Sequence, residues 1–315
     1  MENIKQRESI ILEDNTQAYS LDSTLMGVMD ELVGKPYKHQ PKPLAWTREV
    51  LHQDGAYHRK VILEQGRSDF TSPILGLTPE QTTLLYCCHY LQMHLASSRY
   101  VFDACHQVFN GFPAFLDPHS LMIDFGCGPL TTAIALACYS AQVRKQKLNL
   151  NYIGIERSSA MIKKAQQFSQ CQALFGSQSN FHFLQDYTNS DTLTRQIHQY
   201  THRSRQSWVV LNFCYFFASP WLNCQELSAV VNQLLQQFPQ HRFCILFQNP
   251  PGAPLNQKWH QFKNSLAQHF QYLAGSLPYS YHAVSYYEYP AHWVSEQQVH
   301  QLKPPIKLYY EILVK

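Results

Sequence analysis

No stretch of this chain reaches the roughly 18 consecutive apolar residues that a membrane-spanning helix requires. Charge is scarce too: 22 acidic and 25 basic residues among 315 leave a formal net charge of only +3. The basic residues are scattered. The densest small group, Arg144, Lys145 and Lys147, reads as a solvated helix end, so the basic stripe of a nucleic-acid or anionic-membrane binder is missing. Nine cysteines form an odd set without metal-type pair spacing. That argues against a disulfide framework or a zinc site and for a reducing compartment. His89 and His94 lie five apart on a predicted helix, about 140° from each other, so they cannot jointly hold a metal. The N-terminal residues are charged and lack the apolar core of a signal peptide. The expectation from these absences is a cytoplasmic protein with no metal and no membrane partner. What is present, 45% hydrophobic residues in a chain of this length, supports one large or two modest domains with a real core.

The run Leu121-Met122-Ile123-Asp124-Phe125-Gly126-Cys127-Gly128-Pro129-Leu130-Thr131 carries the strongest signal. An apolar strand ends in a carboxylate, passes a turn with two glycines, and opens a helix at Pro129 or Leu130. An α/β sheet receives a nucleotide-like cofactor in this way, at the carboxyl end of its first strand. Asn151 to Glu156 forms a second apolar strand ending in a carboxylate, and Ser158 or Ser159 then caps a helix. A third strand, Phe181 to Gln185, ends at Asp186-Tyr187, and a fourth, Trp208 to Leu211, ends at Asn212-Phe213. Phe243 to Phe247 supplies a fifth, followed by a helix around Lys258 to Phe270. Two further strands are expected at Tyr281 to Tyr289 and Ile306 to Val314. A nicotinamide dinucleotide is the rival cofactor. Its fingerprint wants Gly or Ala where this chain has Thr131, and Asp124 would set a negative charge near the pyrophosphate.

From about Leu121 onward the chain resembles the class I S-adenosylmethionine-dependent methyltransferases. The likeness rests on Asp124, Gly126 and Gly128, on Glu156 at the end of strand two, and on Asp186 after strand three. It implies an α/β fold with a doubly wound, seven-stranded, mostly parallel sheet whose last strand is antiparallel, over residues 116–315. A helical N-terminal lid or substrate domain over residues 1–115 is expected in front of it. The resemblance implies that the glycine turn meets the methionine part of S-adenosylmethionine, that Glu156 binds the ribose hydroxyls, and that Asp186 meets the adenine amine. With their neighbours Cys127, Arg157, Tyr187 and Asn212, these residues form the expected cofactor side. One departure stands out: the family often has a third glycine where this chain has Leu130, and a branched residue should restrict the turn.

The N-terminal hundred residues are a separate matter. Thr16 to Val33 could form one helix, and residues 34–76 are turn-rich. Thr78-Pro79-Glu80-Gln81 has the form of a capping box with proline at the first helical position. The helix it opens continues with helical apolar spacing to about Phe109.

Methyl transfer from a sulfonium needs in-line positioning and, for a protonated acceptor, a group to take the proton. The candidates are His94 on the long helix, Tyr215 after strand four, and Asn249 after strand five. Substrate contacts are expected from Arg99 and Tyr100 on the lid and from Phe213, Tyr215 and Phe216. Asn212 is not followed by a proline pair, and Gln248-Asn249-Pro250-Pro251 follows strand five rather than strand four. Both run against the amino-methyltransferase pattern. The C-terminal aromatics Tyr279, Tyr281, Tyr286, Tyr287, Tyr289, Trp293, Tyr309 and Tyr310 are expected to be mostly packing residues, with a cage for a cationic substrate as the alternative. A small-molecule acceptor is favoured. RNA or protein methylation, and a non-catalytic binding protein that retains the fold, are the alternatives.

Overall fold

The computed structural model describes residues 9–11, 17–117, 120–188, 190–201, 207–277, 280–289 and 301–315. The chain begins with two short strands, β1 (Ser9–Ile11) and β2 (Gln17–Tyr19), and then forms α1 (Ser23–Met29). One helix over Thr16 to Val33 is therefore not what forms. Asp22 accepts a hydrogen bond from the Leu25 amide at 2.7 Å and caps α1, which sets the helix start beyond the strand. After a series of short helical turns, α2 (Pro79–Tyr86) opens on the expected box: Thr78 accepts from Gln81 N–H, and Gln81 accepts from Thr78 N–H. A π-helical turn, Cys87–Leu91, joins it to α3 (Gln92–Phe109).

From residue 121 strands and helices alternate. The order is β3 (Leu121–Phe125), α4 (Thr131–Arg144), β4 (Asn151–Ile155), α5 (Ser159–Ser169), β5 (Asn180–Leu184) and α6 (Ser190–Thr201). It continues with β6 (Trp208–Cys214), α7 (Cys224–Gln237), β7 (Arg242–Asn249), α8 (Ala253–Ser265), β8 (Gln271–Gly275), β9 (His282–Glu288), β10 (Gln301–Leu302) and β11 (Ile306–Val314). The helix after β7 starts five residues earlier than its sequence pattern indicated, directly after the Pro250-Pro251-Gly252 turn.

Among the described residues the sheet has eleven strands rather than seven. Its centre is parallel, in the order β7-β6-β3-β4-β5, and β11 is inserted antiparallel beside β7 as expected. Beyond β11 the sheet divides: β8 pairs with its second half and β9 with its first. The N-terminal β2 then adds in parallel to β9, with Tyr19 opposite Tyr286. The first hundred residues thus contribute strands to the main sheet as well as helices over it.

Side-chain alternation along the central strands explains the two layers of helices. Met122, Val210, Cys244 and Leu246 face the core shared with α3, α4 and the N-terminal helices. Leu121, Ile123, Phe125, Val209, Leu211, Phe213, Phe243 and Ile245 face the core shared with α6, α7 and α8. Each such fully buried aliphatic or aromatic side chain contributes about 1.5–3 kcal/mol. With apolar contacts needed on both faces, these strands carry few polar residues, and Asp124, Asn212, Gln248 and Asn249 lie toward the carboxyl ends. No helix among the described residues is long and apolar enough to cross a membrane.

Candidate functional site

At the carboxyl ends of β3, β4, β5 and β6 lies a cavity of about 530 Å³. The glycine turn forms one wall. Gly126, Gly128 and Leu130 all take left-handed backbone, with φ of 70°, 52° and 74°. The helix accordingly starts at Thr131, two residues after Pro129, and Leu130 adopts the conformation for which a third glycine would be suited. Leu130 is fully buried, so packing holds it there against the cost of that backbone. Gly128 has open space where a side chain would stand.

Glu156 forms the adjoining edge. One of its carboxylate oxygens accepts from Gly128 N–H at 3.2 Å, and the other from Ser158 N–H at 2.9 Å. Burial raises its pKa, and these backbone donors oppose the rise. Ser158 caps α5 by accepting from Met161 N–H, and donates its own hydroxyl to the Phe70 carbonyl at 2.8 Å. Arg157 pairs with Asp69 at 2.7 Å. Two contacts therefore fasten the 65–70 segment of the N-terminal region to the loop after β4, and Gln65, Gly66, Arg67, Ser68 and Phe70 line the cavity.

Asp186 and Tyr187 also line the cavity. Asp186 accepts from both the amide and the hydroxyl of Thr188. Tyr187 has its pKa pushed up to about 12, by burial first and then by Glu226 and Asp186. Of the expected cofactor residues, Gly126, Gly128, Glu156, Arg157, Asp186 and Tyr187 meet at the cavity. Asp124, Cys127 and Asn212 lie outside its lining. Asp124 is fully buried beneath the turn, where Tyr152 and Asn212 donate to it at 2.6 Å each. Asn212 also donates to Thr132 at 3.1 Å. This polar knot ties β3, β4, β6 and the start of α4 together, and so acts on the site through the turn it supports.

On the far side the cavity is aromatic. Tyr86, Tyr90 and His94 recur every four residues across the π-helical turn and all reach the lining. A regular α-helix would carry them progressively round its axis; the wider turn offsets that drift. His94 lies 4.0 Å from the Tyr215 ring, near parallel at 20°. Its Nδ1 is 2.9 Å from the Tyr86 hydroxyl, and burial lowers its pKa to about 3. Tyr215, which has φ of 57°, donates to Ser97 Oγ at 3.1 Å. Phe216 closes the wall over Gly126.

Several expected substrate residues lie elsewhere. Phe213 points into the opposite core, as alternation from Asn212 requires. Arg99 pairs with Asp103 and stands over the Tyr139 ring. The Tyr100 hydroxyl bonds His282 at 2.8 Å. Asn249 is buried and donates to the Leu255 carbonyl and to Asn256, while its neighbour Pro250 reaches the lining. His89 turns away from His94 and meets His58 at 3.0 Å. Of the C-terminal tyrosines, Tyr281, Tyr286, Tyr287, Tyr289, Tyr309 and Tyr310 are absent from the lining, whereas Tyr279 and Trp293 fall outside the described residues. No group of three or more metal-ligating side chains occurs among the described residues. Lining residues that sequence reasoning did not single out include Arg67, Phe70, Tyr86, Tyr90, Met161 and Trp221. Only Tyr86 and Tyr90 carried a usable signal, their four-residue spacing with His94.

No family model and no curated protein matches the chain. Among solved structures it is similar to a presumed methyltransferase of Thermobifida fusca, with 12% identity, 88% of this chain and 99% of that one covered, and a TM-score of 0.41. It is also similar to a SAM-dependent methyltransferase of Methanosarcina mazei, with 10% identity, 62% and 92% covered, and a TM-score of 0.33. The trans-methyltransferase CalH in complex with SAH gives 11% identity, 82% and 65% covered, and a TM-score of 0.39. Likeness at this level carries nothing about what this chain binds.

Proposed function

We propose that the chain is an S-adenosylmethionine-dependent methyltransferase acting on a small molecule, with residues 1–115 serving as its lid. The observation that carries this reading is the position of Glu156. Its carboxylate is oriented by Gly128 and Ser158 amides at the rim of a cavity that also receives the glycine turn and Asp186. The donor set fits the cofactor. A carboxylate with lone pairs to spare suits a ribose diol, and Asp186 suits an amine. Gly128 leaves room for the aminocarboxylate end, since no atom lies within 4 Å of where its side chain would be. A cavity of about 530 Å³ falls in the range of about 300–1,000 Å³ usual for small ligands, and the aromatic lid side favours enclosing a small acceptor over tracking a polymer. When bound, the cofactor supplies the electrophilic methyl group; the protein orients both reactants and excludes water.

Calorimetric titration with S-adenosylhomocysteine tests the reading. Binding is expected in wild-type protein and should be lost in Glu156→Ala with the fold retained by circular dichroism. Binding of a nicotinamide dinucleotide instead, or of neither ligand at millimolar concentration, refutes it.

A further inference from the structure

Among the described residues, the His94 end of the cavity is rich in hydrogen-bond donors. Among the described residues the Tyr86 hydroxyl has one acceptor within its reach, Nδ1 of His94 at 2.9 Å. With the phenol donating to Nδ1, the imidazole proton resides on Nε2. Nε2 has no partner among the described residues, and His94 lines the cavity. In that tautomer His94 presents N–H to the cavity. Tyr90, also in the lining, has a hydroxyl without a partner among the described residues. Arg67 stands at the same end of the cavity, close enough to act on the Tyr90 phenol. Its Nε donates to the Glu64 carbonyl, and it joins no ion pair among the described residues. Three donors, one of them cationic, thus line a cavity whose wall also holds Phe70, Tyr86, Tyr215 and Phe216.

Two backbone amides anchor Glu156, which also lies near enough to act on Tyr86. Glu156 is held at the glycine turn, and Asp186 and Glu226 both act on Tyr187. Groups that could serve as a base on the substrate side are unsuited to it. Burial lowers His94 to about 3 and raises Cys214 to about 12, and Tyr86, Tyr90 and Tyr215 are all raised. Among the described residues these substrate-side groups offer an acceptor that must lose a proton no suitable base.

We infer, on the reading of the site given above, that the methyl acceptor is a small carboxylic acid with a flat apolar body, bound as its carboxylate by His94 Nε2–H, Tyr90 and Arg67 and converted to a methyl ester. A carboxylate oxygen forms the new bond to the methyl carbon, and the methyl–sulfur bond breaks with its electron pair left on sulfur. Anion and sulfonium cation become neutral ester and neutral thioether, and no proton has to be placed. The low-dielectric chamber favours this charge cancellation. A phenol or an ammonium would need the base that these substrate-side groups do not supply.

Two measurements on the full-length protein test the inference. Nitrogen-15 correlation spectra of the His94 ring, assigned with His94→Phe, are expected to show the neutral Nε2–H tautomer between pH 6 and 8. The Nδ1–H tautomer, or a ring that titrates in that range, overturns the proposal. The second measurement incubates protein and methyl-labelled cofactor with the small-molecule fraction of a cell extract, and with phenylacetate, indole-3-acetate and their amides. Label should appear in product that releases volatile methanol on mild alkaline treatment, from acids and not from amides, and should fall at least tenfold in His94→Phe. Base-stable label alone, label in RNA or protein, or no base-labile label from protein that binds S-adenosylhomocysteine overturns it. Failure to bind S-adenosylhomocysteine is a different result: it removes the methyltransferase reading, and the ester inference falls with it.

Discussion

A side chain placed on Gly126 would put its first carbon 2.7 Å from Cδ2 of Phe216. The Phe216 ring cannot simply withdraw, because it packs among Phe125, Phe213, Phe217 and Tyr187. The glycine turn and the aromatic wall are therefore a single fitted unit.

Gly126→Ala should consequently act twice. It forces a non-glycine residue to φ of 70°, at a cost of about 1–3 kcal/mol, and it displaces Phe216 into the cavity. Affinity for S-adenosylhomocysteine should fall at least tenfold in calorimetry. Wild-type affinity in this variant would show that the ligand sits away from the turn.

Leu130→Gly separates the two demands on that position. Glycine relieves a left-handed backbone worth about 1–2 kcal/mol. It also empties a fully buried leucine site, where truncation even to alanine costs about 2–5 kcal/mol. The loss is larger than the gain, so urea unfolding should show a variant about 1–3 kcal/mol less stable. A more stable variant would mean that Leu130 contributes little to packing.

The central sheet was legible because buried parallel strands announce themselves as apolar runs that stop at polar residues. Leu121 to Asp124, Asn151 to Ile155 and Ile306 to Val314 all form strands close to where the pattern put them. The box at Thr78 and the cap at Ser158 were legible for a local reason, since each is a hydrogen bond within four residues. The strands β2 and β8 were not, because a three-residue strand such as Gln17–Tyr19 exists only through its long-range partner. At the site, the residues flanking the strand ends could be read, but direction could not. Asn212 and Phe213 are neighbours that point to opposite faces, and Tyr215 returns to the cavity through a positive φ that nothing in its sequence signals. Arg99 and Tyr100 share α3 with His94 yet point away from it, into the packing against α4 and β9.

The contacts that hold the 65–70 segment are modest in energy. Asp69 and Arg157 are partly exposed, and such pairs contribute about 0–1 kcal/mol. Asp69→Ala should leave global stability unchanged and weaken S-adenosylhomocysteine binding less than about fivefold, an effect that shrinks in high salt. A tenfold or larger loss would mean that Asp69 holds the 65–70 segment through more than its ion pair.

Asp124 makes the fold itself sensitive to pH. Burial is the main cause that pushes its pKa from the ordinary 3.8 up to about 6, against the hydrogen bonds from Tyr152, Asn212 and Thr132. The folded state therefore binds this proton more tightly than the unfolded state does. Its contribution to stability is fully present below about pH 4 and is lost as pH rises through about 6. A difference of two pKa units corresponds to about 3 kcal/mol. Asp124→Asn carries no titrating proton, so it should be less stable than wild type at every pH, having a disturbed knot, but it should lack this component. Between pH 4 and pH 7 the wild-type unfolding free energy should therefore decline by about 2–3 kcal/mol more than that of the variant, measured in urea at fixed ionic strength. Parallel curves would show Asp124 ionised throughout, with its three donors outweighing the cost of burial.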